Sequence, residues 1–121
     1  MKKFIALLVI VLVAFIGVVL VNVFGGASID YDNPLQASNA YESGTDLNGK
    51  VISVECNLYF KPDEYMGKHE IYRELNTKQL YYVKVYVNSA SIKKGDEVKV
   101  KVSSVNRIDS KYLYIMGDVV D

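Results

Sequence analysis

The sequence predicts an all-β domain, a small five-stranded β-barrel, behind one N-terminal transmembrane helix. Three observations predict it: an almost wholly apolar run over residues 4–24, alternation of apolar and polar residues in short runs from residue 49 onward, and turn-forming residues between those runs. The 121-residue chain is half hydrophobic, but that average joins a membrane-type segment to an ordinary domain. Its length allows one small domain.

In the run FIALLVIVLVAFIGVVLVNVF only Asn22 is strongly polar. At ~1.5 Å per residue it spans roughly 30 Å, the thickness of a bilayer's hydrocarbon core. Lys2 and Lys3 precede it, while Asp30, Asp32, Glu42 and Asp46 follow before the next basic residue, Lys50. The positive-inside bias puts residues 1–3 in the cytoplasm as a short tail and residues 25–121 outside, as a single-pass cell-membrane protein. Gly25-Gly26-Ala27 offers a small-residue cleavage site, so a removed signal peptide is the alternative. Signal cores run about 7–15 residues, and the greater length here favours a retained signal anchor. No Cys lies near the end of the run to carry a lipid.

Residues 25–48 are rich in Gly, Ser, Asn and Asp and read as a linker, with at most a short helical turn around Leu35 to Tyr41. The domain proper is expected over 49–121. Its first strand places Ile52, Val54, Cys56, Leu58 and Phe60 inward and Val51, Ser53, Glu55, Asn57 and Tyr59 outward. Residues 66–75 form a second strand, or else a helical turn. Residues 80–87 point Tyr81, Val83, Val85 and Val87 inward and Tyr82, Lys84 and Tyr86 outward; residues 97–102 and 112–116 repeat the pattern. Asn76-Thr77-Lys78, Lys93-Lys94-Gly95-Asp96 and Asn106 to Ser110 supply the turns. About 70 residues of short strands cannot build two packed sheets, so one curled barrel buries the apolar faces most economically.

Asp46-Leu47-Asn48-Gly49-Lys50-Val51, opening the first strand, and Ser91-Ile92-Lys93-Lys94-Gly95-Asp96-Glu97-Val98-Lys99-Val100, leading into the fourth, carry a resemblance. Over residues 44–118 the chain resembles the OB-fold domains of small bacterial membrane-anchored or secreted proteins, including lipoprotein-type members grouped with tRNA-anticodon-binding-like OB-folds. The resemblance implies an OB-like barrel and little about function, since such barrels bind nucleic acids, sugars, proteins and cofactors. Only residues 88–94 are available for the helix these domains place between strands three and four, so that helix is expected to be one turn or absent.

Ten tyrosines are the main compositional oddity. Tyr59, Tyr82, Tyr86, Tyr112 and Tyr114, with Lys84, Lys99 and Lys101, form the candidate binding face, because Tyr is large, rigid and amphipathic. Tyrosines that simply favour strands and cover a small barrel are the competing explanation. Stacking on these rings also suits single-stranded nucleic acid. Charge argues against it: Lys2 and Lys3 precede the apolar run and every acid follows it, so the external part is slightly acidic.

No metal and no cofactor is expected, since one His and one Cys cannot supply a ligand cluster. The OB-fold haem chaperone of cytochrome c maturation carries a His followed four positions on by a Tyr; here Tyr72 follows His69 by three, inside the domain. Cys56 falls on the inward face as a small buried hydrophobe. No nucleophile-base set, P-loop or HExxH sequence is present, so no catalysis is expected. The expectation is a membrane-anchored extracytoplasmic binding or adaptor module of a cell-envelope protein assembly, held to the bilayer through residues 4–24. The alternative is a carrier or sensor of a small molecule, glycan or cofactor in the barrel mouth.

Overall fold

The computed structural model describes residues 28–58 and 62–120. The expected membrane span and the candidate residue Tyr59 lie outside the described residues. Among those described, no helix is long and apolar enough to cross a membrane.

The elements in chain order are α1 (Pro34–Glu42), β1 (Val51–Glu55), β2 (Glu64–Tyr65), β3 (Lys68–Asn76), β4 (Tyr81–Val87), β5 (Glu97–Ile108) and β6 (Tyr112–Val120). A strand is present in each of the five expected stretches, and residues 68–76 are strand, not helical turn, but β1 ends at Glu55, before the expected inward positions Cys56 and Leu58, and β5 runs to Ile108, into the stretch expected as a turn. Residues 88–96 contain no helix.

The strands form one six-stranded sheet in the order β1-β5-β6-β4-β3-β2. Every neighbouring pair is antiparallel except β4 and β6, which run parallel with Val83 beside Leu113 and Val85 beside Ile115. The inward positions of the alternating runs make the core: Ile52, Val54, Val83, Val85, Val87, Val100, Leu113 and Ile115 are fully buried. Two bulges shift this alternation. Between Glu70 and Tyr72 the register of β3 slips, so that Ile71 and Tyr72 both join the core. Between Val102 and Ser104 the register of β5 slips likewise, and Val105 packs on the core although it stands three residues after Val102.

The sheet does not close, which corrects the five-stranded barrel expected from the sequence. Closure would require β1 to pair with β3, but the outer edge of β1 is already occupied. Val51 O accepts from Asp30 N at 2.8 Å, Val51 N donates to Asp30 Oδ2 at 2.8 Å, and Ser53 N donates to Tyr31 O at 3.0 Å. Past the end of β1, Asn57 reaches β3, giving its N–H to Ile71 O and exchanging side-chain bonds with the Arg73 backbone at 2.9 and 3.0 Å.

Residues 28–48, read from the sequence as part of the linker, are folded onto the sheet. Asn33 caps α1 by accepting the Gln36 N–H at 2.9 Å, and Pro34 fills the first helical turn. Ala37 and Leu47 enter the core. The helix is fastened by polar bonds as much as by apolar contact: Asn76 Nδ2 donates to Ser38 Oγ at 2.7 Å, Tyr81 OH to Glu42 Oε1 at 3.0 Å, and Arg107 pairs with Glu42 at 2.6 Å.

Candidate binding face

The sheet face opposite α1 carries a second, polar and aromatic layer. The strand registers set it out in rows: Arg73, Lys84 and Tyr114 lie side by side across β3, β4 and β6, as do Leu75, Tyr82 and Tyr112. Glu70, Tyr86 and Met116 make the next row. Four of the eight candidate residues, Tyr82, Tyr86, Tyr112 and Tyr114, are thereby brought together around a fifth, Lys84. Its ammonium lies 5.1 Å from the Tyr114 ring centre, 5.2 Å from Tyr86 and 5.9 Å from Tyr112.

Lys84 and Tyr86 are not displayed outward as the alternation predicts; they are 4 % and 0 % exposed. The β2–β3 hairpin folds back over them. Tyr65 sets its ring edge on Tyr114 at 5.0 Å and lies 5.7 Å from Tyr86. Met66 and Gly67 both have positive φ, 51° and 77°, as a tight two-residue hairpin turn requires.

A charge network fills the space beneath. Lys84 Nζ sits 3.2 Å from Glu70 Oε2 and 3.3 Å from Asp63 Oδ2. Arg73 grips Glu70 with two bonds, Nε to Oε2 at 3.0 Å and Nη2 to Oε1 at 2.9 Å. Tyr86 OH donates to Asp63 Oδ2 at 3.1 Å. Among the described residues no buried side-chain nitrogen or oxygen lacks a partner, the condition under which a buried pair is tolerated.

These contacts set the protonation preferences. Desolvation opposes the Asp63 carboxylate, but the bonds from Lys84 and Tyr86 outweigh it and hold its pKa below the ordinary value. Burial above all, then the Tyr114 hydroxyl and the Glu70 carboxylate, pushes the Tyr86 hydroxyl up, so it remains a donor. The bonds to Glu70 keep Arg73 firmly protonated.

The exposed part of the layer is smaller than the candidate list. Tyr82 is 42 % and Leu75 is 41 % exposed. Tyr82 stacks on Tyr112 at 6.1 Å and 30°, and the two rings with Arg73 line a surface hollow. Lys99 and Lys101 stand apart, on the half of β5 that pairs with Ser53 and Val51 of β1, so they belong to a different region of the sheet.

Asp63, Tyr65, Glu70 and Arg73 were not legible as partners of this site. In a regular strand residues three apart face opposite sides; only the bulge at Ile71 turns Glu70 and Arg73 to the same face. Cys56 is buried, and His69 Nδ1 meets Glu64 at 3.4 Å. Among the described residues no three His, Cys, Asp or Glu side chains are placed to hold a metal ion. Comparison with protein-family models, curated proteins and solved structures finds no match to this chain.

Proposed function

We propose that the chain is a membrane-anchored extracytoplasmic binding module that engages an envelope protein partner through the outer face of its sheet. The observation that carries this reading is the stacked pair of exposed Tyr82 and half-buried Tyr112, flanked by Leu75 and Arg73 and backed by a layer whose buried side-chain polar atoms all have partners. Aromatic rings and an Arg on a preorganised surface are the residue types that dominate protein interfaces, because they contribute large contact area at small entropic cost. The anchor would confine the module near the membrane and raise its effective concentration against a partner there.

The kinship to OB-like barrels is part of the same proposal. It is supported by the order β1-β5-β6-β4-β3 with β4 and β6 parallel, the connectivity of a five-stranded Greek-key barrel opened between its first two strands. Single-stranded nucleic acid is disfavoured, since Lys84 is committed to Asp63 and Glu70 and Lys101 lies away from the rings.

The test is chemical crosslinking in cells of the full chain against its Y82S/Y112S variant at matched protein level. Loss of one discrete crosslinked species in the variant is expected. An unchanged crosslink pattern with the variant stably folded contradicts the reading.

A further inference from the structure

The two carboxylates on Lys84 differ in one respect that matters for binding. Glu70 is sealed in, with 1 % of its side chain exposed, and is also held by Arg73. Asp63 reaches the same ammonium from the surface, with 55 % of its side chain exposed. It sits at the base of a hairpin whose outer strand, β2, is two residues long and pairs only with Lys68 and His69. From His69 onward β3 is laddered to β4, so the part able to move is residues 63–68, held to the sheet by the Tyr65 ring and by Lys68, which meets Asp118 and the Gly117 carbonyl. Two bonds tie its base, Glu70 N to Asp63 O at 2.9 Å and Asp63 N to Glu70 Oε1 at 3.3 Å, and are placed to act as a hinge.

Resting on the reading that this face binds a partner, we propose that Asp63 is an internal stand-in for a carboxylate of that partner. Lys84 Nζ and the Tyr86 hydroxyl form the carboxylate site, and the hairpin is the flap that covers it. With Asp63 in place the network holds two positive and two negative groups and is neutral. When the Asp63 carboxylate swings out, the site carries an excess positive charge, a hydroxyl donor and walls of tyrosine rings. A carboxylate entering there restores the two bonds that the Asp63 carboxylate made, from Lys84 Nζ and from the Tyr86 hydroxyl. Arg73 faces both the network and the hollow beside Tyr82 and Tyr112, linking the flap to the exposed rings.

The test titrates the full chain in detergent micelles, its D63A variant and the D63A/K84Q double variant with sodium acetate at fixed ionic strength, reading the thermal midpoint. Acetate is expected to stabilise D63A saturably, at concentrations at least tenfold below any that affect the native chain, and to leave D63A/K84Q unmoved. Equal responses of native and D63A, or a response that survives K84Q, overturns the proposal; stronger stabilisation by inorganic phosphate than by acetate overturns the carboxylate assignment. Should D63A not fold, D63N serves in its place, with faster amide exchange expected at residues 64–68 alone. Exchange that rises across the whole sheet contradicts a separate flap. Because acetate binding needs no partner, it can succeed while the Tyr82 crosslink fails, and the reverse, so the two readings fall separately.

Discussion

Lys84 Nζ stands 3.2 Å from Glu70 Oε2 on the sheet face opposite the apolar core, with both side chains almost wholly removed from water. A pair so placed tolerates replacement of both members far better than loss of one. E70Q removes the negative charge that faces both Lys84 and Arg73 and one of the two oxygens Arg73 binds, and is expected to cost about 3–5 kcal/mol in urea denaturation. The E70L/K84M double variant is expected to be clearly more stable than E70Q. Equal losses in the two would mean that the pair is not energetically coupled.

Gly117 sits where β5 wraps closest to β6. A Cβ there would collide with the Lys101 carbonyl oxygen and come within 2.7 Å of Val100 Cγ1, one a backbone atom and the other a core side chain. Neither can yield without moving β5. G117A is expected to destabilise the domain by about 1–3 kcal/mol, the cost of overpacking, seen as a lower urea midpoint with unchanged slope.

Met66 is 75 % exposed and held at φ 51°, in the left-handed region that a tight hairpin turn requires of both central residues. An L side chain without a short polar group pays for that conformation. M66N supplies the Asn-Gly pair such turns prefer and is expected to add about 0.5–1 kcal/mol of stability, measurable as a raised thermal midpoint.

Three buried tyrosines, Tyr72, Tyr81 and Tyr86, are expected to set the alkaline limit of stability. Burial, then the Glu74 charge, pushes Tyr72 up to about 12. Burial likewise raises Tyr81, reinforced by its bond to Glu42, and Tyr86, reinforced by Tyr114. Their contribution is full below the ordinary tyrosine value of about 10; above it the unfolded chain releases protons that the fold retains, so stability falls as pH rises. Urea midpoints are expected to drop as pH rises from about 10 toward 12, and less steeply in Y72F. Asp63 has the opposite sign: its lowered pKa contributes stability above the ordinary 3.8 that is lost as pH falls through the folded value. D63N is therefore expected to flatten the acid limb.

The strands were legible because Ile52, Val54, Val83, Val85, Val100, Leu113 and Ile115 alternate over a half-buried surface, and period-two patterning follows directly from strand geometry. Less was legible wherever a tertiary contact overrides the local pattern. Residues 28–48 lack a strong apolar stripe; Ala37 and Leu47 are single anchors, and the bonds from Asn76, Tyr81 and Arg107 that hold α1 come from distant strands. Alternation places Lys84 and Tyr86 on the outer face correctly, but it carries no information that Tyr65 will fold over them. Lys99 and Lys101 share that side with the tyrosines yet lie beside β1, a separation fixed by strand order and invisible in spacing.

The central claim is that the outer face around Tyr82 and Tyr112 meets a protein partner. Its most direct test places a photoreactive phenylalanine analogue at position 82, at 112 and, as a control on the distant part of the sheet, at 101, each in the full chain in living cells. One crosslinked species common to positions 82 and 112 and absent from 101 is expected. Crosslinking from 101 to the same species, or none from 82 and 112 in correctly folded protein, would contradict it.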